Sequence, residues 1–86
     1  MGTRVAVISI IVEKKDSVEH LNSILHNYSE YIIGRMGIPY RQRKINIISI
    51  ALDAPQNIIS TLSGKIGKLE GVSAKTAFSG VISNDG

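Results

Sequence analysis

Residues 8–28 read ISIIVEKKDSVEHLNSILHNY, and residues 48–69 read ISIALDAPQNIISTLSGKIGKL. Each stretch opens on Ile-Ser-Ile, continues as an apolar strand to an acid (Glu13, Asp53), and then changes to helical spacing. In the first, Val18, Leu21, Leu25 and Tyr28 recur at i, i+3, i+7 and i+10; in the second, Ile59, Leu62, Ile66 and Leu69 do the same. That period lines four apolar side chains along one stripe of a helix. The second stripe is the first displaced by 41 positions, 59 minus 18. Helix start chemistry accompanies both. Asp16 or Ser17 can cap the first, with Glu13 and Glu19 near its positive end, and Pro55 after Asp53 and Ala54 suits the first turn of the second. Gly67 and Gly71 fit the second helix's exit.

A further strand follows each helix: YIIGRMGIP (31–39) after the first and VSAKTAF (72–78) after the second. The short link YRQRK (40–44) between Pro39 and Ile45 suits a hairpin. The order is therefore βαββαβ. Its expected fold is α+β, a ferredoxin-like sandwich with a four-stranded antiparallel sheet, two helices on one face, and the strands from Ile32 and Val72 at the edges. One domain over residues 1–80 and a flexible tail over 81–86 complete the layout. A chain of 86 residues supplies one core and no more.

Alternation along the two central strands puts Ile8, Ile10 and Val12 on one face with Ile48, Ile50 and Leu52. The opposite face of a helix-covered antiparallel sheet meets water and is normally polar. Here it carries Val5, Val7, Ile11, Ile45 and Ile47. Each such aliphatic gains about 1.5 to 3 kcal/mol when fully buried. An obligate homo-oligomer, a dimer or a dimer of dimers, follows as the expected state, with this face or a sheet edge at the interface. In the segment 31–40, Gly34, Gly37 and Pro39 fit an edge strand, and the two glycines leave room for another backbone or a ligand.

Composition excludes several classes. The chain has no cysteine, hence no disulfide, zinc knuckle or thiolate nucleophile, and a reducing cytoplasm is the expected location. Ten basic against seven acidic residues is too slight an excess to mark a nucleic-acid binder. The central strands also lack the aromatics that RNA-recognition sheets place there. VAVISIIV after Arg4 has the length of a signal core but is followed by EKKD rather than a small-residue cleavage site. No apolar run approaches the roughly 20 residues that span a bilayer. No catalytic residue is assigned, because Ser9 and Ser49 have no histidine in their motifs, and GRMG lacks a phosphate loop's spacing. No cofactor or metal is expected: Glu19, His26 and Glu30 share a helix face, but a solvated polar face accounts for them.

VAVISIIVE, LNSILHNYSEYIIGRMGIPYR and INIISIALDAP resemble the small ACT-like family of regulators of the iron-only hydrogenase system, and GRMGIPYR is the most specific string. The likeness runs from Thr3 to Phe78. More distantly, the arrangement resembles ACT domains and the C-terminal domain of nickel-responsive regulators. The resemblance implies a regulatory ligand sensor rather than an enzyme. ACT domains that bind amino acids use a glycine-containing loop where this chain has EKKDS, and the nickel ligands have no counterpart without cysteine.

Gly34, Arg35, Met36, Gly37, Tyr40 and Arg41 are the expected ligand-contacting residues. Arg35 between glycines can fork onto a carboxylate or phosphate, Arg43 and Lys44 add charge, and Tyr40 offers a wall. The expected partners are further copies of the chain and an unidentified small molecule or protein. A purely structural or partner-binding subunit is the alternative, and a small dimeric enzyme would need turnover through His26 or Tyr40.

Overall fold

The computed structural model describes residues 2–83, with side chains through residue 80. The elements are β1 (Thr3–Val12), α1 (Ser17–Asn27), a single 3-10 turn (Ser29–Tyr31), β2 (Ile32–Tyr40), β3 (Ile45–Ala54), α2 (Gln56–Gly67) and β4 (Val72–Ser83). Among the described residues the four strands form one antiparallel sheet in the order β2-β3-β1-β4. This is the ferredoxin-like α+β arrangement expected from the duplicated units, with β2 and β4 at the edges. The duplication explains the symmetry: Ile8 of β1 stands opposite Ile50 of β3, and Ile10 opposite Ile48, so both Ile-Ser-Ile motifs meet at the sheet's centre.

Both helices bury the stripes that their spacing defines. Leu21 and Leu25 of α1, with Ile59, Leu62 and Ile66 of α2, pack onto Ala6, Ile8, Ile10 and Val12 and onto Ile48, Ile50, Leu52 and Ala54. Val18, Tyr28 and Leu69 stand partly buried at the ends of the stripes. The Lys65 ammonium lies 5.1 Å from the Tyr28 ring centroid, which joins the two helices at their outer margin.

Three local features depart from the sequence expectation. Asp16 occupies the N-cap of α1 but makes no side-chain cap bond. Instead, buried Ser17 donates its hydroxyl to the Glu70 carbonyl at 2.6 Å, and the Glu13 N–H donates to the Gly71 carbonyl at 2.7 Å. The helix start is thus tied to the α2–β4 junction rather than to its own capping residue. Pro55 precedes α2 as its N-cap rather than standing inside the first turn. Lastly, β4 runs on to Ser83 and takes in residues 81–83 of the expected flexible tail. Register slips between Arg4, opposite Ile82, and Ala6, opposite Phe78. The extra β4 residues form a bulge, beyond which pairing with β1 resumes. Residues 84–86 of that tail lie outside the described residues.

Gly71 is fixed by geometry. Its φ is +69°, and a Cβ there would stand 2.7 Å from Lys14 Cβ and 3.1 Å from the Lys14 nitrogen. Only glycine meets both conditions without displacing the β1–α1 connection. Lys14 and Glu70 form an exposed ion pair across the same junction. Hydrogen bonding to Lys14, helped by its charge, lowers the Glu70 carboxyl below its ordinary range, and the same contact raises Lys14. No helix among the described residues is long and apolar enough to cross a membrane.

Candidate functional site

The uncovered sheet face carries the apolar set that alternation assigns to it. Val5, Val7, Ile11 and Ile47 are exposed, each more than a third open, and Ile45 is half-buried. Edge strand β2 extends this surface. Met36 stands opposite Ser49, Ile38 opposite Ile47 and Tyr40 opposite Ile45, so all three join the same face. Met36 is 60% exposed. The face is therefore largely apolar across three adjacent strands, interrupted by the Ser9–Ser49 pair and by Asp53 opposite Val5.

A bulge in β2 decides where the remaining residues of the GRMGIPYR string point. Register shifts between Ile32, opposite Leu52, and Gly34, opposite Ala51. Ile33 is the extra residue, 64% exposed. After it, Gly34 falls on the open face with Met36, while Arg35 and Gly37 fall on the helix-covered side opposite Ile50 and Ile48. Arg35 donates from Nη2 to Asn22 Oδ1 of α1 at 2.6 Å. With Asn22, His26 and Ser29 it lines a cleft of about 350 Å³. Nothing stands within 4 Å of where a Cβ would be at Gly34 or Gly37.

Tyr40 sits where the open face meets the hairpin end of the sheet, and Arg41 follows it there. They meet in an open cleft of about 570 Å³ at the hairpin end of the sheet, bordered also by Glu13 and Lys15 from the β1–α1 connection. The Tyr40 hydroxyl donates to Gln42 Oε1 at 2.8 Å. The six expected ligand residues are accordingly divided: Arg35 in the helix-side cleft, Gly37 on that side of β2, Gly34 and Met36 on the open face, Tyr40 and Arg41 at the sheet's end. Lys15 and Asn46, which line the hairpin cleft, were missed by sequence reasoning. Pairing of Val12 with Asn46 brings them together across the sheet, and no local motif signals that. Among the described residues no group of three histidine, cysteine or acidic side chains is placed to hold a metal.

Residues 4–76 match the model of the TM1266-like family, described as "Iron-only hydrogenase system regulator, putative". The chain belongs to this family. The uncharacterised protein TM1266 from Thermotoga maritima is 35% identical and superposes with a TM-score of 0.85, over 88% of this chain and 96% of that one. Two lower-identity structures share the fold alone. A formyltetrahydrofolate deformylase from Pseudomonas putida KT2440 matches at 10% identity and TM-score 0.62, over 85% of this chain and 28% of the enzyme. A protein of unknown function from Galdieria sulphuraria matches at 17% identity and TM-score 0.62, over 96% of this chain and 49% of the other. No curated protein matches the chain. The TM1266-like match takes in β1 from Arg4 onward, both helices, β2 and β3 entire, and the first residues of β4.

Proposed function

We propose that the protein is a non-enzymatic, cytoplasmic regulatory module of the iron-only hydrogenase system. It assembles as a homodimer or homotetramer through the open sheet face and senses a small molecule or engages a protein partner beside β2. The family description supports the regulatory role. The observation that carries the assembly is the uncovered apolar face, where Val5, Val7, Ile11 and Ile47 continue into Met36 and Ile38 without an intervening charge along β2. A monomer leaving that surface in water forgoes about 25 cal/mol for every Å² of it. A self-complementary twofold contact is the ordinary way to cover such a patch.

Sedimentation equilibrium of the full chain tests the assembly. More than one chain per particle at micromolar concentration is the expected result. Val7→Lys with Ile47→Lys should lower the mass to that of one chain while Ile8, Ile10 and Ile50 keep the fold intact. A single chain that melts cooperatively at high dilution, with the same melting temperature as at high concentration, removes the proposal.

A further inference from the structure

The hairpin cleft is charged out of proportion to the rest of the molecule. Three cations, Lys15, Arg41 and Lys44, border it against one carboxylate, Glu13. Arg41 and Lys44 belong to one tight turn, closed by the Lys44 N–H donating to the Arg41 carbonyl at 3.2 Å. That turn sets Lys44 at φ 56°, a left-handed conformation uncommon for residues other than glycine, asparagine and aspartate. Glycine would occupy the position with less strain, so lysine there keeps a charge at a backbone cost, a pattern common at ligand-holding turns. The opposite wall is apolar and partly aromatic, made by Pro39, Tyr40 and Ile45.

From this juxtaposition we infer that the cleft binds a phosphate monoester with a planar body, of about the size of a mononucleotide. The inference rests on the reading of the protein as a small-molecule sensor and names the ligand class. Two net positive charges are matched by a dianion; a zwitterionic amino acid would set its ammonium among three cations with only Glu13 to receive it. Arg41 can fork onto two phosphate oxygens while Lys15 and Lys44 act as point charges from either side. A cleft of about 570 Å³ exceeds what a bare phosphate fills and lies in the usual range for organic ligands. The planar body stacks on Tyr40, and the Asn46 amide supplies a donor and an acceptor beside it.

The test titrates the isotope-labelled full chain with AMP, flavin mononucleotide, adenosine and inorganic phosphate at low salt, following amide resonances. AMP or flavin mononucleotide should bind saturably and perturb Lys15, Tyr40 and Lys44. Adenosine and inorganic phosphate should each bind at least about tenfold more weakly, since each keeps one of the two contacts. Affinity should fall as pH drops below about 6, where the dianion takes up a proton. Arg41→Gln should weaken binding by about tenfold or more, the scale of a lost charge-assisted hydrogen bond. Lys44→Gly should weaken binding while raising the melting temperature, so that the loss of affinity is not a loss of fold; unchanged affinity would make the lysine merely a turn residue. Absence of saturable binding by both nucleotides, or perturbations centred on Arg35 and Asn22, overturns the inference. Sedimentation of the same samples separates the two proposals. A monomer that binds AMP retains the phosphate site and loses the assembly, whereas an oligomer that ignores AMP does the reverse.

Discussion

Ile10 and Ile11 are neighbours on β1 with the same side chain, yet one is sealed and the other is 43% exposed. Nothing intrinsic to either residue accounts for this. Ile10 points at α1 and α2, and Ile11 points away from both. The contrast repeats along β3, where Ile48 and Ile50 are buried and Ile47 is open. Comparing the two faces teaches that hydrophobicity in this sheet meets two different situations: one face is satisfied within the chain, and the other is left open by it.

The largest expected effect lies on the sealed face. Ile50→Ala should destabilise the protein by about 2 to 5 kcal/mol in chemical denaturation, through lost transfer energy and the cavity left under the helices. A loss below about 1 kcal/mol would mean that this face is not the close-packed one. Next comes the junction that anchors the helices. Gly71→Ala should cost about 1 to 3 kcal/mol, because the left-handed backbone is unfavourable and Lys14 blocks the new methyl.

The open face should respond in proportion to assembly. Ile11→Ser measured in dilute, dissociated protein should cost under about 1 kcal/mol, and several-fold more at concentrations where the oligomer is populated. Equal costs at both concentrations would break the distinction between the faces. The smallest effect belongs to the Lys14–Glu70 pair. Glu70's depressed carboxyl gives stability that is complete above the ordinary carboxylate range and lost as pH falls through it. Raised Lys14 gives stability that disappears only as pH climbs past the ordinary lysine range. Both groups are exposed, so solvent screening keeps the contribution slight. Lys14→Met should therefore lower stability slightly at neutral pH, a difference that closes as pH falls through the carboxylate range.

The fold was legible because the same unit is written twice. Period-2 and period-3.6 patterns are local, and here each is confirmed by its copy 40 or so residues later. The open face was legible for the same reason. The ligand residues were less so, because a bulge is a relation between two strands. Ile33 looks like any strand residue until it fails to find a partner on β3, and from there every later side chain on β2 changes sides. Alternation parts Arg35 from Met36 and Tyr40, and the slip decides which face each of them takes. The α1 start misled in another way: Asp16 has the chemistry of a cap, but Ser17 finds its acceptor in Glu70, far along the chain. The continuation of β4 past Phe78 likewise depends on β1, whose Arg4 sets its guanidinium 4.9 Å from the Phe78 ring centroid and reaches Gln56 and the Ser79 carbonyl.

The strand order carries a kinetic corollary. β1 is made first and lies in the middle, between a strand that begins at Ile45 and another that begins at Val72. During synthesis its apolar side chains wait, unpaired on both edges, until most of the polypeptide has left the ribosome. Such long-range closure slows the search for the native state and exposes VAVISIIV to intermolecular pairing meanwhile. Nascent chains of this protein should consequently depend on holdase chaperones until β4 docks.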